Sequence, residues 1–241
     1  MSEITKSYKD IKVVGLDADD TLWVNETYFR EAELEVAKLL AAYETANTID
    51  QELFKKEIEN LPLYGYGIKG FTLSMIEMAL EISNYSLPNR AIESILNIGK
   101  DMLNKPVELI DGVEETLERL SATHKLVLVT KGDLLDQERK LAKSNLTGYF
   151  HHIEVLSDKQ EANYEQLLKS LDIKPSEFLM VGNSLKSDVL PLVNLGANAV
   201  HIPFHTTWLH EEVTETDTNG KNYKTLTRLS ELTALLNDGN A

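Results

Sequence analysis

Residues 11–23 read IKVVGLDADDTLW. An apolar run ends at Leu16, and carboxylates follow at once at Asp17, Asp19 and Asp20, with a hydroxyl at Thr21. Such a run fits a strand buried on both faces. Crowded carboxylates at its end are costly unless they face a place where ligands bind, and in an open parallel sheet that place lies beyond the carboxyl ends of the strands.

Similar short runs recur at Lys125 to Thr130, His152 to Leu156, Glu177 to Val181 and Asn198 to Ile202. Amphipathic stretches stand between or after them: Val113 to Ser121, Asp133 to Asn145, Ala162 to Leu171, Lys186 to Asn194 and a last one near Leu229 to Leu236. The alternation predicts an α/β fold, a Rossmann-like parallel sheet with helices on both faces and right-handed crossovers. The tail from Asn237 is expected to fray.

Between the first and second strands lies a stretch of about eighty residues without strand periodicity, far beyond the dozen or so that a crossover needs. Four helical faces fill it. Phe29, Ala32, Val36, Leu39, Leu40 and Tyr43 form one; Leu53, Phe54, Ile58 and Leu61 form another, started by a capping box at Thr48-Ile-Asp-Gln51. Phe71, Met75, Ala79 and Ile82 give a third, and a fourth follows Pro88 with Ile92, Ile95, Leu96 and Met102. The expected organisation is core 1–24, a small all-α helical-bundle cap 25–105, and core 106–241.

The net charge of -15 opposes binding to a nucleic acid polymer or an anionic membrane surface. No apolar run approaches the roughly 20 residues of a membrane span. The start MSEITKSYKD lacks a secretory pattern and the chain has no cysteine, which together suit a cytoplasmic protein and exclude thiolate chemistry and disulfides.

The strand ends define the chemistry. Asp17 and Asp19 follow the first, Thr130 ends the second, Lys159 lies in the loop after the third, and Asn183, Ser184 and Asp188 follow the fourth. Clustered carboxylates need compensating positive charge, and hard oxygen donors without His or Cys favour magnesium. Phosphoryl transfer needs an in-line nucleophile, neutralised equatorial oxygens and a protonated leaving group. Asp17 could attack phosphorus, Asp19 could act as general acid and base, Thr130 and Lys159 could hold phosphoryl oxygens, and Asp188 could hold the metal.

These motifs in this order resemble the haloacid dehalogenase superfamily of phosphohydrolases: Asp17-Ala-Asp19-Asp-Thr21, Thr130 closing LVLVT, Lys159, and Gly182-Asn-Ser-Leu-Lys-Ser-Asp188. The resemblance implies an aspartyl-phosphate mechanism, with magnesium held by Asp17, the backbone carbonyl of Asp19 and Asp188. The acid at Asp19 argues for phosphate esters over carbon–halogen bonds. Three positions depart from the family pattern: Asn183 stands where a second acid is common and would assist the metal through its amide or a water, Lys131 stands where Asn is frequent, and Gln160 where Pro is.

The expected function is a magnesium-dependent phosphatase of a small phosphorylated metabolite. The alternatives are a phosphomutase or phosphotransferase of the same family, a non-hydrolysing phospho-accepting signalling module, and a scaffold that lost activity. The loop YGYGIKGF, Tyr64 to Phe71, either reaches over the leaving group, making Tyr64, Tyr66 and Lys69 specificity residues, or is an interhelical loop with helix-end glycines. Asp20 reads as a solvated or loop-bonding residue, Thr21 as a residue that orients Asp17, and Lys186 as an exposed helix lysine. The segment with His201, His205 and His210 lacks zinc-ligand spacing and reads as a structural loop with Trp208 packed.

Overall fold

The computed structural model describes residues 8–238; Asn237 and Asp238, where fraying was expected to begin, are still helical, and the rest of that tail lies outside the described residues. Among the described residues, six strands form one parallel sheet in the order β3-β2-β1-β4-β5-β6. They are β1 Val13–Leu16, β2 Lys125–Lys131, β3 His152–Leu156, β4 Phe178–Gly182, β5 Asn198–His201 and β6 Lys224–Thr225. The short edge strand β6 is the one strand among the described residues that periodicity did not mark. Two residues, both exposed, carry no alternation to read.

The side chains of β1 alternate between two cores, as a strand must. Val14 and Leu16 pack with Leu126, Leu128, Leu179 and Val181 under helix α5, Val113–Ser121, and the C-terminal helix α10, Leu232–Asp238. Val13 faces the other way, with Val127, Val129, Phe178 and Met180 against α7, Glu161–Ser170, and α8, Leu190–Asn194. The sheet is thus covered on both faces, as predicted. The helix expected from Lys186 is split, because Leu185–Val189 is a wide π-helical turn before α8 begins.

Between β1 and α5 stand four helices: α1 Glu26–Leu39, α2 Ala46–Tyr64, α3 Ile68–Ile82 and α4 Asn89–Asn104. They enclose an apolar core of their own, with Val36, Leu40, Met75 and Ile95 fully buried. The start of α2 corrects the capping-box reading. Thr45, not Thr48, is the N-cap, and its hydroxyl accepts from the Thr48 N–H at 3.3 Å. The earlier start lets Ile49 join Leu53 one turn apart on the buried face, at 1% and 2% exposure, and that burial outweighs the later cap.

The chain enters and leaves these helices along one seam. Val24 N–H donates to the Glu108 carbonyl at 2.9 Å, Ile110 N–H to that of Leu22 at 2.9 Å, and Trp23 bridges Leu109 in antiparallel fashion. Among the described residues no helix is long and apolar enough to cross a membrane.

Candidate active site

The register that pairs Leu16 with Leu128 and Val181 brings the ends of β1, β2 and β4 to one edge. Asp17 leaves this edge with its N–H still donating to the Val181 carbonyl at 2.9 Å, so its carboxyl is held by sheet geometry. It is 5% exposed. Oδ1 takes a hydrogen bond from Lys159 Nζ, and Oδ2 accepts from the Thr21 hydroxyl at 3.0 Å. The same ammonium donates to Asp188 Oδ1 at 2.7 Å, so one buried cation bridges two buried carboxylates. Burial, and with it the Asp188 charge, pushes the Asp17 carboxyl up to about 7 against the pull of Lys159. Burial alone would lower the Lys159 ammonium, but Asp17 and Asp188 hold it above its usual range.

Asp188 reaches this point because the chain folds back through the turn after Gly182. Its Oδ2 accepts from the Ser184 N–H at 3.0 Å. A Cβ on Gly182 would lie 2.2 Å from that oxygen, so only glycine lets the carboxylate lie against the strand end. Asn183 completes the edge. With its amide nitrogen turned inward it donates to the Asp19 carbonyl at 3.2 Å and to Asp17 Oδ2 at 3.3 Å, so those two oxygens border one small volume.

Asp19 sits in a second cluster that the sequence reading missed. Its carboxylate receives Lys140 Nζ at 2.6 and 2.8 Å, Gln137 Nε2 at 2.9 Å and the Trp23 indole at 2.7 Å. Burial alone would raise its pKa, but the Lys140 charge and these hydrogen bonds hold the carboxyl below the usual range. Lys140 and Gln137 lie on α6, Leu134–Ser144, one turn apart on the face toward the site. Asp20 is a loop-bonding residue: its carboxylate accepts from the backbone N–H groups of Asn25 and Glu26, at 2.8 Å and 3.0 Å, where α1 begins.

A cavity of about 160 Å³ opens above these groups and runs up between the sheet edge and the inserted helices. Thr130 lines it, with its hydroxyl making one long contact to the Lys131 carbonyl at 3.5 Å. Tyr64 and Tyr66 line it too. Tyr64 donates to Glu77 at 2.5 Å, and Tyr66 reaches Asp158 at 3.3 Å while its ring covers the Lys131 ammonium at 4.3 Å. Lys69 bridges from α3 to Asp133, the N-cap of α6, at 2.9 and 3.0 Å.

The histidine segment also borders the cavity, through Thr206, Thr207, Trp208 and Glu211. Trp208 packs against the His210 ring at 4.8 Å and edge-on to Tyr66 at 6.1 Å. Lys186 is no free surface lysine, since it donates to the His210 carbonyl at 2.6 Å. Glu211 anchors the segment, ion-paired with Lys131 and accepting from Ser184 and Ser187 at 2.5 and 2.6 Å. Burial would raise Glu211, yet the Lys131 charge and these hydrogen bonds hold it down to about 2.

The model of the haloacid dehalogenase-like hydrolases matches residues 11–196, which span the whole edge. The chain belongs to that family. It is therefore a haloacid dehalogenase-like hydrolase, and the matched residues include the strand ends that carry Asp17, Thr130, Lys159 and Asp188. The mouse N-acylneuraminate-9-phosphatase is 27% identical over 212 residues, covering 83% of each chain. A glyceraldehyde 3-phosphate phosphatase of Pyrococcus furiosus is 29% identical over 98 residues, 38% of this chain and 40% of that one. The crystal structure of a haloacid dehalogenase-like family hydrolase from Xanthomonas campestris superposes with a TM-score of 0.84 at 36% identity, covering 96% of this chain and 94% of that one.

Proposed function

We propose that the protein is a magnesium-dependent phosphatase of small phosphomonoesters that works through an aspartyl-phosphate on Asp17. The observation that carries this reading is the bridge of Lys159 between Asp17 and Asp188 at the floor of the cavity, with a second carboxyl, Asp19, two residues beyond the first. The phosphatase relatives support the same reaction.

The donor set suits magnesium. Asp17 Oδ2 and the Asp19 carbonyl border the volume that the Asn183 amide closes, and Asp188 stands across Lys159. All are hard oxygen donors. When bound, the ion would neutralise negative charge on the phosphoryl oxygens.

The residues divide the work. Asp19, ionised beside Lys140 in the free enzyme, takes a proton from the ester bound as its monoanion. An Asp17 carboxylate oxygen then bonds to phosphorus as the ester P–O bond breaks, and Asp19 passes that proton to the departing alkoxide. A water then attacks the phosphorus of the aspartyl-phosphate, losing its proton to Asp19, and inorganic phosphate leaves with Asp17 restored. Thr21 holds Asp17 in its rotamer, while Thr130 and Lys159 hold phosphoryl oxygens. Residues 25–105 act as a cap over the leaving group, a reading supported by their separate core and by the seam at Trp23 and Leu109.

The test is phosphate release from a panel of small phosphate esters with magnesium and no second acceptor, repeated with Asp17→Asn. The expected loss is on the order of 10³-fold or more. Equal release by both proteins would overturn the nucleophile assignment.

A further inference from the structure

The cavity has two unlike ends. Its cations sit at the sheet edge and are all engaged: Lys159 with Asp17 and Asp188, Lys140 with Asp19, Lys131 with Glu211. The wall built by α1 and α2 presents Glu26, Glu33 and Glu57 to the same cavity. One cation stands among them: Arg30 pairs with Glu26 at 3.0 Å and Glu33 at 2.9 Å. Glu57 has no hydrogen-bond or ion-pair partner among the described residues, and burial pushes its carboxyl up to about 8.

One buried acceptor lining the cavity is left without a donor, and another is met by a single cation. Glu26 is 9% exposed, and its Oε1 is met by Arg30 at 3.0 Å. Gln137 is 5% exposed; both bonds it makes are through Nε2, to Asp19 and to the Lys131 carbonyl, so its orientation is fixed and Oε1 has no partner. A buried acceptor without a donor costs roughly 1–3 kcal/mol, and native structures rarely leave one facing a cavity without a ligand to use it. Phe29, Tyr66 and Trp208 supply flat apolar surface between these groups.

We propose that the cavity selects phosphate esters whose leaving group carries several hydrogen-bond donors and no second negative charge, a polyhydroxyl or amino-sugar alcohol, received by Glu26 and Glu57 of the helical wall and by Gln137 of α6 opposite. The inference rests on the phosphatase reading above and adds the substrate class. Hydroxyl or ammonium donors satisfy the orphan oxygens, and an ammonium also offsets the surplus carboxylate. A carboxylate on the same skeleton finds no free cation on this wall, where Arg30 is already paired with Glu26 and Glu33, and it is repelled by Glu57 or Glu26 whenever either is ionised.

The test compares three esters on a shared six-carbon skeleton: glucosamine 6-phosphate, glucose 6-phosphate and 6-phosphogluconate. The expected kcat/KM falls in that order, with the carboxylate-bearing ester at least about tenfold below the amine. Glu57→Gln, nearly isosteric, is expected to shrink that ratio about tenfold by acting on KM more than on kcat. Circular dichroism of the variant checks its fold, and the wild-type ranking stands without it. No phosphate release from any ester, these or a wider panel, overturns the phosphatase reading. Release from the wider panel with equal rates on the three, or with 6-phosphogluconate preferred, overturns the substrate class alone.

Discussion

The sheet edge and the helical wall face each other across one cavity and are built on opposite rules. At the edge the carboxylates around the cavity floor are matched by lysines: Asp17 and Asp188 share Lys159, Asp19 has Lys140, Glu211 has Lys131. On the helical wall acceptors outnumber donors. The difference separates the part that must hold one geometry through each turnover from the part that is completed by whatever binds. Preorganised charge serves chemistry because it needs no rearrangement when the reaction occurs. Unfilled acceptors serve choice, because a wrong partner leaves them unsatisfied.

Removing a counterpart at the edge is the hardest blow to that contrast. Lys159→Met leaves two buried carboxylates facing each other and is expected to cost about 3–5 kcal/mol at neutral pH. Urea denaturation reads it, and the loss should shrink in acid as the carboxylates take up protons. An undiminished midpoint at pH 7 would mean that the edge is not held by its ion pairs.

Glu211 sharpens the comparison through pH. Its folded value of about 2 lies below the ordinary 4.5, so the unfolded chain binds the extra proton and the group stabilises the fold at pH above about 4.5. The contribution, roughly 3 kcal/mol, is expected to vanish as pH falls from about 4.5 toward 2. Glu211→Gln should flatten that part of a pH series of urea unfolding curves.

A smaller effect is expected at Lys140. Lys140→Ala frees one side of the Asp19 carboxylate, leaving Gln137 and Trp23, and should lower kcat about tenfold with little change in KM. A change in KM alone would put Lys140 with the binding wall. Least of all, Lys69→Ala removes a half-exposed bridge to Asp133 and should alter stability by under about 0.5 kcal/mol in the same urea assay.

The edge was legible because strands announce themselves by short apolar runs and deliver their next residues to a known place. Asp17, Thr130 and Asp188 follow from that rule, with Lys159 carried by its position after β3. The clamp on Asp19 was not legible. In LLDQERKLAKS the positions of Gln137 and Lys140 look like any solvated helix face, and only the packing of α6 beside β1 shows which face turns inward. Glu211 was hidden for a similar reason, since a charged residue after Pro203 in an irregular segment has no period to betray burial. The helical wall gave its apolar positions readily, yet Glu26 and Glu57 resemble ordinary surface acids until α1 and α2 are set opposite the sheet.

The seam at Trp23 and Leu109 has a topological consequence. Because outgoing and returning chain are zipped together before the first helix starts, the entropy of closing so long an excursion is met locally, at the seam, and not by the neighbouring strands. β1 and β2 can therefore keep their register whatever hangs beyond the zipper. The excursion is a graft on a fixed stem, and a stem of this kind tolerates the exchange of one graft for another while the sheet beneath stays as it was.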